Sequence, residues 1–350
     1  MRSLNKRFIT TVLLLLSIII ISACGKSGQT TSSGVNTENS GELFIQVAGI
    51  VPQGHPLALG GEKFKELVEE KSDGKIKVEY YPNNQLGSIR EQTEQVQMGT
   101  IQMAQTLLST VTSFNASHLQ VFEYPFLWPS DEDEIWSILE GGVGELALEK
   151  LEPTGLKGFG FWAGGFKAIT TKDRAIQSPV DLKGINMRVI PSEILQKTYE
   201  AFGANPVPIE FTETYNALQQ GVADAQENPL ETIYSAKYYE VQDHITIANH
   251  GYQFYMMVAN SNWFNGLDEG TQKILIEAEE EARVFAKDLT RESIEKKLKE
   301  FPELGLEVHE LTEEGRQEFI KLSQPLHEEL INTPDQKELL ESIYEETGVN

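Results

Sequence analysis

The residues with the clearest chemical promise are cations in apolar, strand-like surroundings. Arg188 stands in Asn186-Met187-Arg188-Val189, a short run that reads as a strand. With alternating side chains, Arg188 shares a face with Asn186 and Ile190, while Met187 and Val189 turn the other way. A guanidinium is planar and can hold both oxygens of a carboxylate through parallel hydrogen bonds. Near a core it must be paired, because an uncompensated buried charge is costly. Two partners stay open: one of the chain's own carboxylates, or a carboxylate carried by a ligand. Lys167, in Gly164-Gly165-Phe166-Lys167, is either a strand lysine with its head in water or a second ligand cation. Phe211 and Trp162 suit a core or a ligand wall. Asn228, before Pro229, reads as a turn residue or as an amide for an anion.

Other chemistries find no support. The six histidines, at 55, 118, 244, 250, 309 and 327, form no H-E-x-x-H pair, and a single cysteine makes no thiolate cluster. His244 and His250 lie six apart and flank a strand, so no metal and no cofactor is expected. There is no G-x-S-x-G elbow. Gly141-Gly142-Val143-Gly144 does not follow a strand and reads as a break between helices rather than a phosphate loop. Carboxylate clusters such as Asp131–Glu134 and Glu277–Glu281 read as solvated faces. The chain is therefore expected not to be an enzyme.

The elements that must position these residues begin after an export signal. Arg2, Lys6 and Arg7 precede an apolar run from Val12 to Ile21, too short to span a bilayer and suited to a signal peptide. It ends in Ile21-Ser22-Ala23-Cys24, similar to a bacterial lipobox, so residues 1–23 are expected to be removed and Cys24 lipidated. Residues 24–41 are polar and read as a tether. The chain thus reads as exported and lipid-anchored on the outer face of the cytoplasmic membrane. Its 350 residues carry 29 Lys plus Arg against 53 Asp plus Glu, a formal net charge of −24. So acidic a chain is a poor partner for nucleic acid.

From Glu42 onward strands alternate with helices, the mark of an α/β fold, and the length suits two lobes. Glu42–Ile50 and Lys75–Tyr81 read as strands around a helix bearing Phe64, Leu67 and Val68. Ser130 is expected to cap the helix that holds Trp136, with Asp133 in the capping box. Phe159–Thr171 reads as a long strand and Gly184–Ile190 as a second. Ser192 and Thr212 are expected helix caps, and Asn228-Pro229 a turn. His250–Asn260 reads as a central strand. Leu267–Phe301 is one long helix with a stripe of Leu275, Ala278, Ala282, Phe285 and Leu289. Two acidic helices follow, with Phe319, Leu322, Leu339 and Ile343 facing inward.

At these residues the chain resembles the extracytoplasmic solute-binding subunit of a TRAP transporter, the DctP family. The resemblance runs from about Glu42 to the C-terminus. It is densest in Trp162-x-x-Gly165-Phe166-Lys167, Asp181-Leu182-Lys183-Gly184, Met187-Arg188-Val189 and Glu213-x-Tyr215-x-Ala217-Leu218-Gln219. Glu227-Asn228-Pro229 closes it. It implies a two-lobe, type II-like periplasmic-binding-protein fold with a hinge and a long helix spanning both lobes. Residues 42–164 and 252–291 would form lobe I, and residues 165–251 and 292–350 lobe II. By the same resemblance Arg188 pairs with a substrate carboxylate, Asn228 hydrogen-bonds it and Phe211 packs on it. Lys167 supplies the second cation of a C4-dicarboxylate site, and Trp162 and Arg90 complete the cleft. The expected ligand is malate, succinate or fumarate, and the expected partners are the small and large TRAP membrane subunits. A sugar acid, 2-oxo acid or aromatic acid, or a role beside a sensor kinase, are the alternatives.

Overall fold

The computed structural model describes residues 42–348. The expected signal peptide and tether, and Cys24 with them, lie outside the described residues. No helix among the described residues is long and apolar enough to cross a membrane.

The chain alternates as the apolar spacing predicts. β1 (Leu43–Ala48), α1 (Pro56–Lys71), β2 (Ile76–Tyr81), α2 (Ile89–Gln97) and β3 (Met103–Leu107) come first. Ser88 caps α2 in a complete capping box with Glu91. A short α3 (Leu108–Val111) follows, then α4 (Glu132–Leu139) and α5 (Gly142–Glu149), separated at Gly141 as expected. The cap of α4 is Asp131, not Ser130: its carboxylate accepts from the Asp133 backbone N–H. A carboxylate at that position also complements the helix dipole, which a serine does not.

β4 (Leu156–Thr171) is the spine of the fold. Up to Phe166 it runs antiparallel to β9 (Tyr252–Asn260). From Lys167 to Thr171 it runs antiparallel to β7 (Ala225–Pro229), with β8 (His244–Ile247) on its other side. The full order is β2-β1-β3-β9-β4-β7, then β5 (Asn186–Val189) and β6 (Asn205–Pro208), with β10 (Glu307–Glu310) beside β8. The hand-over from β9 to β7 falls at a register shift between Ala163 and Gly165. Gly165 has φ +104, a conformation that side-chain-bearing residues rarely adopt.

Between β5 and β6 lies α6 (Glu193–Ala201), capped by Ser192 as expected. Thr212 caps nothing: the chain enters α7 (Thr214–Gln219) through a 3₁₀ turn at Phe211–Glu213. Glu227-Asn228-Pro229 is not a turn but the end of β7. Pro229 fits there because a strand end needs no further amide donor. α8 (Leu230–Ser235), α9 (Ser261–Asn265), α10 (Glu269–Glu303), α11 (Glu313–Glu329) and α12 (Pro334–Thr347) complete the chain.

α10 has 35 residues, about 50 Å at 1.5 Å each. It packs on α1 and β4 at one end and on α8 and β10 at the other. Its buried stripe is Leu275, Ala278, Ala282, Ala286 and Thr290, while Phe285 is exposed. A period of 3.5 drifts off one face of a straight helix, so the burial moves from 285 to 286. Leu322 of α11 is exposed as well, whereas Phe319, Leu339 and Ile343 face the core.

Candidate functional site

Arg188 sits in the middle of β5, with Gln226 of β7 and Val207 of β6 as its parallel neighbours. It is 3% exposed. Its Nε donates to the Ile209 carbonyl at 2.9 Å, and its Nη2 is buried with no partner. Among the described residues no carboxylate comes within 4.0 Å of the guanidinium. Burial pushes its pKa below the usual value, partly offset by Tyr238, Glu227 and Glu210. An arginine stays charged regardless, so the fold holds a buried positive charge with no carboxylate in contact among the described residues. The first of the two partners left open by the sequence, a structural ion pair, is absent among the described residues.

A narrow, partly open cavity lies at this guanidinium. Arg188, Asn228, Phe211, Lys167, Glu227 and Glu123 line it. Asn228 arrives from the end of β7, opposite Ala168 of β4. Its amide donates to Gln226 Oε1, and Gln226 Nε2 donates to Thr170 Oγ1 at 2.9 Å. Phe211 comes from the 3₁₀ turn and is half-buried. Four of the six expected site residues therefore meet in one place.

Lys167 is there but not free. Its Nζ lies 2.8 Å from Glu227 Oε1, and both side chains are buried. Glu227 also accepts from His250 Nε2 at 2.6 Å and from the Tyr199 hydroxyl at 3.1 Å. Burial alone would raise the Glu227 carboxyl. Lys167 and His250 overcome that and hold it well below the ordinary carboxylate range. Glu123, half-buried, accepts from Ser192 Oγ at 2.9 Å. Its carboxyl is pushed up, chiefly by burial and further by Glu227, against the pull of Lys167 and Ser192.

The structure leaves two expected residues elsewhere. Trp162 is fully buried in the core under α1 and α10, where its indole donates to Glu279 Oε1 at 2.7 Å. Gly60 makes room for it: a Cβ there would lie 2.5 Å from the ring. Arg90 is half-exposed, ion-paired to Glu94 at 3.2 Å and set over the Phe114 ring. Neither lines the cavity.

Sequence reasoning missed Glu123 and the partners of Lys167. Glu123 carried a signal, being the one acid in Val121-Phe122-Glu123-Tyr124-Pro125-Phe126-Leu127-Trp128. His250 and Tyr199 carried none, since their contacts span 23 and 51 residues.

Two other hollows are poorer anion sites. One, under α4, α5 and α10, contains Arg283 and Lys287, which are already paired with Glu279 and Glu140. The other, between β4, α8 and α10, is mainly apolar, and its buried ionisable group is the carboxyl of Glu231.

Residues 47–333 match the DctP family, described as bacterial extracellular solute-binding protein, family 7. The C4-dicarboxylate-binding periplasmic protein DctP of Rhodobacter capsulatus is 34% identical over 289 residues, 82% of this chain and 86% of that one. The sugar acid binding protein DctPAm of Advenella mimigardefordensis, solved with galactonate, superposes with a TM-score of 0.83 at 28% identity. That match covers 88% of this chain and all of the other. A TRAP periplasmic solute-binding protein of Sulfurospirillum deleyianum, solved with succinate, gives 0.81 at 29% identity, covering 86% and 98%. The match spans most of the described residues, and with it the strands that bring Arg188 and Asn228 together. The chain belongs to the DctP family of TRAP solute-binding proteins, which bind their solute and do not transform it.

Proposed function

We propose that this protein captures a small organic acid outside the cytoplasm at Arg188 and delivers it to the small and large membrane subunits of a TRAP transporter. The observation that carries this reading is the buried, unpaired guanidinium. A carboxylate seated on its fork supplies the missing countercharge, and Asn228 adds an amide donor beside it. Phe211 covers the site and lowers the local dielectric, which strengthens the pair.

The preferred ligand is a C4-dicarboxylate such as succinate, malate or fumarate. Its second carboxylate reaches Lys167. The ammonium has three donors and gives one of them to Glu227, so two remain for a ligand. A relative that binds C4-dicarboxylates and one solved with succinate support this choice. A second reading has its own observation. Glu123 faces the cavity, and its carboxyl, raised chiefly by burial, offers a hydrogen-bonding partner to a ligand hydroxyl. That favours a hydroxylated monocarboxylate of the sugar-acid kind, and the relative solved with galactonate supports it.

The cavity is narrow, so entry requires it to open. The strands on either side of the Gly164–Gly165 crossing would part as two lobes, residues 42–164 with 252–291 and residues 165–251 with 292–350, about a hinge there. Lipidation of Cys24 would hold the protein at the membrane face; replacing Cys24 with Ser should release it from the detergent phase.

The test is a thermal-shift panel of C4-dicarboxylates, sugar acids, 2-oxo acids, aromatic acids and neutral sugars, followed by calorimetry on the hits. A carboxylate hit that Arg188→Ala abolishes is expected. Stabilisation by neutral sugars alone would overturn the reading.

A further inference from the structure

Away from the anion cavity, two strands bring together three metal-ligating side chains that lie far apart in the chain. β8 and β10 are parallel neighbours, with Glu307 opposite His244 and His309 opposite Thr246. Glu307 and His309 are two apart on one strand, so they share a face, and His244 meets them there. His244 Nδ1 lies 3.2 Å from His309 Nε2 and 3.6 Å from Glu307 Oε2, and His309 Nε2 lies 3.7 Å from the same oxygen. The two imidazoles are mostly covered and Glu307 is exposed.

We propose that His244, Glu307 and His309 bind a single transition-metal dication of the zinc type, which ties β8 to β10. The three separations decide this. The point equidistant from the three atoms lies about 2.0 Å from each, which is the length of zinc bonds to imidazole nitrogen and carboxylate oxygen. The donors therefore already stand at coordination distance around a common centre. A small rotation of the exposed Glu307 carries them from a plane to three corners of a tetrahedron and leaves the fourth to water. Two imidazoles and one carboxylate suit Zn²⁺, Co²⁺, Ni²⁺ or Cu²⁺, and not Mg²⁺ or Ca²⁺, which favour all-oxygen shells. Without metal, one imidazole donates to the other, an arrangement that a cation displaces.

The location gives the site a structural consequence. The chain between His244 and Glu307 contains β9, α9 and the whole of α10, the helix that packs along β4. A metal joining β8 to β10 closes that long excursion at its base. It would hold the end of α10 against the strands around Lys167–Thr171, and it uses no residue that lines the anion cavity.

The experiment takes the untagged protein after treatment with a chelator. Calorimetry with ZnCl₂ should give one ion per chain at micromolar affinity, and millimolar Mg²⁺ or Ca²⁺ should not compete. Zinc at a hundred times its Kd should raise the Tm by about 5 °C. Co²⁺ should give the visible absorption of a four-coordinate site. His309→Ala and His244→Asn should each remove the cobalt band and weaken zinc binding at least about 10-fold. Glu307→Gln, at an exposed position that tolerates the change, serves as a third variant should either histidine change disturb the far-UV circular dichroism. Succinate titrations should be the same with and without zinc. Zinc binding of unchanged affinity in all three variants would place the ion elsewhere and overturn the proposal. So would no binding at micromolar zinc.

Discussion

Removing Arg188 should do two opposite things, and the contrast is the sharpest check on its role. In the free protein the guanidinium is buried, has one hydrogen bond to Ile209 and leaves Nη2 unmatched. A buried charge without a partner costs several kcal/mol, so Arg188→Met, similar in reach and uncharged, should leave stability unchanged or raise it by about 1–4 kcal/mol. The binding cost runs the other way. A carboxylate about 4 Å from the guanidinium centre, at an effective dielectric near 20, gains about 4 kcal/mol. Losing one member of such a pair costs about 2–5 kcal/mol, roughly 30-fold to several thousand-fold in Kd. Arg188→Lys should fall between, because an ammonium cannot copy the fork. Calorimetry with the best ligand of the panel gives the affinity, and urea unfolding without ligand gives the stability. Two results refute the reasoning: an unchanged Kd, or a Met variant that loses several kcal/mol of stability together with its affinity. The latter would mean that the arginine is a structural member of the strand.

Glu123→Gln should tighten binding of an organic anion at neutral pH, by up to about 2 kcal/mol for a charge some 8 Å away at that dielectric. Because the Glu123 carboxyl is raised, wild-type affinity should fall as pH climbs through its titration, and the Gln variant should be flatter when titrated at several pH values. Glu227→Gln should cost about 3–5 kcal/mol in urea unfolding, because it leaves Lys167 buried and unpaired. The Glu227 carboxyl is held below its ordinary range, so its contribution is fully present above about pH 4.5 and disappears only in stronger acid. His55 caps α1 with Nδ1 accepting from the Leu57 N–H, and burial lowers its pKa to about 3. Its stabilisation is full above about 6.5 and declines as pH falls toward 3, by about 2 kcal/mol between pH 6.5 and 5. His55→Asn, which can still cap, should flatten that part of the stability profile. Trp162→Phe should lower stability by about 1.5–3 kcal/mol through loss of the bond to Glu279 and leave the ligand Kd unchanged.

What the sequence made legible follows from what is local. The strand around Arg188, the Ser192 cap and the length of α10 all rest on neighbouring residues, and the structure places them as read. The errors arose where a local signal met a tertiary demand. Asn228-Pro229 has turn chemistry but ends a strand, because β4 pairs with it through Pro229. Phe285 fits a heptad stripe, but a straight helix buries Ala286 instead. The state of Lys167 was beyond local reading altogether. Its partner Glu227 lies 60 residues away, and Glu227 is itself fixed by His250 and Tyr199 from other elements. Trp162 was ambiguous for a related reason: the glycine that admits its ring, Gly60, stands about a hundred residues earlier.

The ion pair of Lys167 changes how an acidic chain can hold an anion. The formal net charge of −24 opposes the ligand at long range, but salt screens it beyond about 8 Å. Inside that distance the balance is set by Arg188 and Lys167 against Glu227 and Glu123. Lys167 and Glu227 form a buried ion pair, and the lowered carboxyl of Glu227 stays ionised near neutral pH. The attraction therefore reduces to Arg188, tempered by whatever charge Glu123 carries. On the proposed reading one carboxylate would be held by a full charge with no carboxylate partner among the described residues, and the remainder of the ligand would meet hydrogen-bonding groups of nearly neutral sum. Such a site would fix one end of an organic acid firmly and leave the other end to be chosen by shape and hydrogen bonding, either a second carboxylate at the remaining Lys167 donors or hydroxyls. Solved relatives that share this fold hold succinate in one and galactonate in another, acids that have a carboxylate in common and differ in the rest of the molecule.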